Sequence, residues 1–120
     1  MKDGTIQDSQ ITASSVMTSN DPQVKSPGKN NARLDRPSDV DTFGGWSPKP
    51  VDSNKWIGVE FATYTHVSGI ILQGREDGSP HWVTKYKVAY SGDGATWRYI
   101  QDEGRVNNLV SYVRETFIWD

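Results

Sequence analysis

From Trp56 onward, apolar and polar positions alternate along the chain. Ile57, Val59 and Phe61 share one parity while Trp56, Gly58 and Glu60 share the other, an alternation that sends successive side chains to opposite faces and predicts a half-buried strand. Val67-Ser68-Gly69-Ile70-Ile71-Leu72-Gln73 is a largely apolar run closed by Gly74, which fits a strand covered on both faces. Tyr86, Val88 and Tyr90 then alternate with Lys85, Lys87 and Ala89, and Trp97 and Tyr99 alternate with Arg98 and Ile100. Ser91-Gly92-Asp93-Gly94 separates these two runs, and its Asp-Gly pair predicts a hairpin.

The stretch from Asp3 to Lys55 reads differently. It is mostly polar, broken by Ser19-Asn20-Asp21-Pro22, Ser26-Pro27-Gly28-Lys29-Asn30-Asn31 and Arg36-Pro37-Ser38-Asp39, residue types that supply pre-set or positive φ and local side-chain hydrogen bonds. Loops are predicted there, anchored by the apolar islands Ile11-Thr12-Ala13 and Ala32-Arg33-Leu34. No segment carries an apolar helical period long enough to pack. The pattern predicts one all-β domain over residues 1–120, an antiparallel sandwich or barrel. Its expected core is Ile57, Val59, Phe61, Ile70, Leu72, Tyr86, Val88 and Trp97.

Composition narrows the function. With 120 residues and five Trp and five Tyr, the chain suits a single domain with a sizeable aromatic core. A net charge of −2 argues against the basic surface that nucleic acid requires. No window approaches the roughly 20 apolar residues of a bilayer span, and Met1-Lys2-Asp3-Gly4 has no apolar leader-like stretch. The absence of cysteine removes disulfides and Cys-ligated zinc. No Asn-x-Ser/Thr triplet occurs either. His66 and His81 lack paired ligand spacing. Glu76 and Asp77 adjoin and would point to opposite sides of a strand, and no Ser nucleophile has a recognisable base constellation, so hydrolysis is not expected.

Several motifs occur in order: Asp8-Ser9-Gln10-Ile11-Thr12-Ala13-Ser14-Ser15, Ala32-Arg33-Leu34-Asp35, Gly45-Trp46-Ser47-Pro48, Lys55 to Phe61, Val67 to Arg75, and Trp82 to Ser91 followed by Gly94 and Trp97. Together they resemble the discoidin family, which includes the C domains of coagulation factors V and VIII. The resemblance implies a jelly-roll β-sandwich, a distorted, galactose-binding-like barrel with ligand loops at one end. It implies an extracellular, non-catalytic adhesion or recognition module. The family's cysteine-bearing first and last strands have no counterpart here, so the resemblance implies a piece truncated at both ends, without the end-to-end disulfide.

By that resemblance the first ligand loop follows Ser15 and contains Val16, Met17 and Asp21. Exposed apolar residues on a loop tip can insert into a membrane interface, but single apolar residues also pack locally, and this reading is kept beside the first. The second loop holds Asp39, Asp41 and Phe43. Its carboxylates are candidates for Ca²⁺ as the one possible cofactor, although their spacing matches no calcium loop and a solvated acidic turn is the preferred reading. Trp46 is expected in the core. The third loop carries Arg75, Glu76, Asp77, His81 and Trp82, a mixture suited to sugar hydroxyls or a charged protein ligand, with Trp82 expected to pack against the barrel. The expected partner is therefore a cell-surface glycan or an extracellular protein. An anionic phospholipid surface is the runner-up, and a carbohydrate-binding module appended to a glycosidase is a third reading.

Overall fold

The computed structural model describes residues 5–18, 28–38, 44–75, 81–100 and, by its backbone, the strand 112–119. The architecture is all-β and antiparallel, as expected. Among the described residues five strands, β1 (Ile11–Ala13), β2 (Trp56–His66), β3 (Lys87–Ser91), β4 (Arg98–Tyr99) and β5 (Tyr112–Trp119), form one sheet in the order β1-β2-β5-β3-β4. The last of these in sequence, β5, thus lies in the middle. Its register runs Ile57↔Ile118↔Val88 and Gly58↔Phe117↔Ala89 across the three central strands.

The β-branched and aromatic residues of β2 account for its length. Trp56, Ile57, Val59, Phe61, Thr63, Tyr64 and Thr65 all suit a pleated, half-buried surface. Ile11 on β1 stands opposite Val59 and is fully buried, as is Ala89 on β3, and Gly58 opposite Thr12 is buried too. Small residues in the middle of the sheet let neighbours close over them.

The motif preceding β1 is explained by what its polar residues hold. The Gln10 side chain donates from Nε2 to the Glu60 carbonyl (2.8 Å), and its Oε1 accepts from the Gln7 amide (2.9 Å), closing a 3₁₀ turn over Asp8–Gln10. The Arg33 guanidinium pairs with Asp8, and the Lys29 ammonium donates to the Ile11 carbonyl from a second 3₁₀ turn, Lys29–Asn31. The polar islands of the first half are therefore ties onto β1 and β2.

Two expectations are corrected. Val67–Gln73 is not a strand: Ile71 is 76% exposed and Leu72 41%. Burial on both faces needs a layer on each side, and among the described residues this run has no ladder partner. None of the eight residues expected in the core is fully buried: Ile57, Val59, Phe61, Ile70, Val88 and Trp97 are half-buried, Leu72 and the 48% exposed Tyr86 are open to solvent, and the buried apolar side chains among the described residues are Ile11 and Ala89. Tyr86 precedes β3 by one residue and so escapes its ladder. Alternation identified the strands but not which positions a second layer covers.

Candidate functional site

The register places several chain segments at one end of the sheet. Ala13 pairs with Ile57, Trp56 with Trp119, and Lys87 with Trp119. The exit of β1, the entry of β2 and the entry of β3 therefore share that end. The loop expected to be the first ligand loop leaves β1 there, and its base is closely bonded. The Ser14 amide donates to the Trp56 carbonyl (2.9 Å) and the Ser14 hydroxyl accepts from the Trp56 amide (3.0 Å). Trp46 donates from Nε1 to the Ser15 carbonyl (2.9 Å), and the Met17 amide donates to the Ser47 carbonyl (2.8 Å). Trp46, half-buried, thus ties the chain leaving the second loop to the root of the first. Val16 and Met17 are themselves half-buried.

Ser15 is a second tie. Its hydroxyl donates to Asp52 Oδ2 and accepts from the Lys49 amide (3.0 Å). Asp52 closes the turn Lys49-Pro50-Val51-Asp52 through its own amide to the Lys49 carbonyl (3.0 Å), while its Oδ1 accepts from the Asn54 amide (3.0 Å). The Ser15 hydroxyl, then the Ser14 hydroxyl, the Asn54 amide and the Lys55 ammonium hold the Asp52 carboxyl below the usual carboxylate range. Val51, at the tip of this turn, is 89% exposed.

The third loop is closed at its stem, where the Arg75 amide donates to the His81 carbonyl (3.0 Å). Arg75 is half-buried, His81 is exposed, and Trp82, expected to pack against the barrel, is 64% exposed. A Cβ at Gly74 would stand 3.4 Å from both the His81 carbonyl oxygen and the Trp82 Cβ, so the two stems approach closely. The stem is also fixed to the earlier half. The Gln73 side chain accepts from the Asp35 amide (2.7 Å) and donates to the Asp35 carboxylate (3.3 Å).

The structure therefore joins Val16 and Met17 to the second loop's exit, and Arg75 to His81. Asp21, Asp39, Asp41, Phe43, Glu76 and Asp77 lie outside the described residues. Among the described residues no cluster of acidic or imidazole groups suits a metal, and no helix is long and apolar enough to cross a membrane.

Three features escape reasoning from the sequence. The Ser15–Asp52 lock spans distant positions and has no local signal beyond the turn-forming Pro50. Asp35 has a positive φ of 54°, a conformation that Asn and Asp tolerate better than most residues. Gly44 faces the Arg36–Ser38 backbone so closely that a Cβ would lie 2.7 Å from the Arg36 carbonyl oxygen. Of these, only Asp35 carries a residue-type signal.

A family model described as "F5/8 type C domain" matches residues 10–117. The chain is 40% identical over 111 residues to human EGF-like repeat and discoidin I-like domain-containing protein 3, covering 92% of this chain and 22% of that protein. It is 34% identical over 111 residues to lactadherin of Sus scrofa (92% of this chain, 26% of that protein). To human neuropilin-2 the identity is 36% over 112 residues (85% and 11%). The chain thus spans about a quarter or less of the length of these relatives. With the family model matching nearly the whole chain, and with the motifs that define the resemblance holding β1, the 3₁₀ turns and the loop bases in place, the chain belongs to the F5/8 type C, or discoidin, domain family.

Proposed function

We propose that this domain is a non-catalytic recognition module working outside the cell, binding a glycan or protein ligand through the loops at the Ser14–Trp56 end of the sheet. The observation that carries the reading is the closed third-loop stem. The Arg75 and His81 backbones meet there beside an exposed Trp82, and a guanidinium, an imidazole and an indole on one loop would suit hydroxyl-rich or charged groups. The half-buried Val16 and Met17 fit a supporting role rather than an inserting one.

One observation favours a second reading. Val51 protrudes from a turn pinned to the first loop, with Lys49 and Lys55 near it in the chain and the Asp52 carboxylate directly beside it turned to Ser15, an apolar tip with lysines in reach of an anionic lipid surface. A glycan array and sedimentation with phosphatidylserine vesicles, run on the same variants, separate the two. Arg75→Ala is expected to weaken ligand binding by about 1–3 kcal/mol, with Met17→Asp and Val51→Asp nearly silent. Vesicle binding abolished by Met17→Asp or Val51→Asp, yet indifferent to Arg75→Ala, would establish the lipid reading instead.

A further inference from the structure

The end of the sheet opposite the ligand loops holds a hollow of about 410 Å³ lined by Tyr64, Tyr90, Gly92, Asp93, Thr96 and Arg98. The register explains its position. Tyr90 pairs with Arg98 across the β3–β4 hairpin, and Ser91 pairs with Glu115, far along β5 from the Trp119 that meets Trp56. Tyr64 arrives from β2 through an irregularity: Glu60 pairs with Glu115 and Thr65 already with Val113, so the intervening β2 residues outnumber their partners. Such bulges re-aim side chains.

The walls are fixed before any ligand arrives. The Tyr64 hydroxyl donates to the Gly92 carbonyl (3.2 Å), and its ring edge lies 3.4 Å from where a Gly92 Cβ would stand. Gly92 thus admits the ring, which is nonetheless 65% exposed. Asp93 is equally fixed. Its Oδ1 accepts from the Ser91 hydroxyl (2.9 Å), the Ala95 amide (2.9 Å) and the Thr96 amide (2.7 Å), and the Thr96 hydroxyl bonds the same carboxylate. Arg98 is exposed on the edge strand β4.

From this arrangement we infer that the hollow is a second ligand site, distinct from the loop end, and that it takes a pyranose sugar. Its volume falls in the range of small-molecule sites. An open tyrosine ring offers a platform for the apolar C–H face of a pyranose, the guanidinium offers a fork of donors, and the carboxylate and threonine hydroxyl offer acceptors for ring hydroxyls. A simple anion would meet the fixed negative charge of Asp93. A purely apolar ligand would strip water from Arg98 and Asp93 without replacing it.

The test is a titration of the ¹⁵N-labelled 120-residue chain with methyl β-galactopyranoside, methyl β-glucopyranoside and methyl β-N-acetylglucosaminide, followed by amide resonances. Saturable shifts are expected at Gly92, Thr96 and Arg98, with Ser14 to Met17 and Arg75 unmoved for this binding event. Tyr64→Ala should weaken binding roughly tenfold, while Tyr64→Phe, which keeps the ring, should stay within about threefold. Arg98→Ala should weaken it severalfold and, on an exposed edge, reads out independently if Tyr64→Ala disturbs the hairpin. No saturable shift at these amides with any of the three glycosides, shifts only at the loop end, or unchanged affinity in both Tyr64→Ala and Arg98→Ala would overturn the assignment.

Discussion

Replacing Gly44 by alanine would put a methyl carbon 2.7 Å from the Arg36 carbonyl oxygen and 3.2 Å from the Ser38 amide nitrogen. Both are backbone atoms, so no rotamer change relieves the contact and the Arg36–Ser38 segment must move. Overpacking of this kind costs about 1–3 kcal/mol. With a urea dependence of roughly 1–3 kcal/mol per molar for a small domain, the unfolding midpoint should fall by on the order of 1 M at unchanged slope. The neighbouring Gly45→Ala is the control, because a Cβ there meets nothing within 4 Å. Its effect should lie within about 0.5 kcal/mol of zero, helped by the lower freedom of alanine in the unfolded chain. The family motif includes Gly45 beside Trp46, so motif reasoning would rank the two glycines the other way. Equal losses for both variants, or a larger loss for Gly45→Ala, would refute the steric account.

At Asp35, the positive φ makes Asp35→Val strained by about 1–2 kcal/mol while Asp35→Asn stays near neutral, a contrast that thermal melts of the two variants would read. Asp93 gives a pH prediction: the Thr96 amide first, then the Ala95 amide and the Ser91 hydroxyl, hold its carboxyl well below the usual carboxylate range. A depressed folded value means the hairpin's stabilisation is complete above an ordinary aspartate's pKa of about 3.9 and is lost only as pH falls below it. The ¹³C carboxyl resonance of Asp93 should therefore titrate far below that of an aspartate without such hydrogen bonds, and an ordinary titration midpoint would contradict the hydrogen-bond pattern.

Period and turn chemistry were enough to place β2, β3 and the β3–β4 hairpin, because alternation and an Asp-Gly pair are local signals. They leave open how the hairpin is built. Asp93 acts through its side chain on the Ala95 and Thr96 amides, and Gly94 takes the positive φ of 72°, so the link is a longer loop braced by an aspartate rather than a two-residue turn. Val67–Gln73 failed for the opposite reason: hydrophobicity signals a wish for burial but says nothing about a partner. At the loop end, Arg75 and His81 are legible as a pair only after their backbones are seen to close the stem. The Ser15–Asp52 bond joins residues whose proximity depends on β1 meeting the entry of β2, which no local window contains.

The place of β5 between β2 and β3 has a consequence for how the chain is made. A ribosome releases β2 and β3 long before Tyr112 to Trp119 emerges, so during synthesis the facing edges of both strands are bare. The sheet can close only by a late insertion of its centre, a contact pattern of large sequence separation that slows folding. Until then the nascent chain carries two open hydrogen-bonding edges of the kind that recruit other strands. Slow synthesis between Ser91 and Tyr112 would therefore lengthen the time for which these edges stand open to other strands.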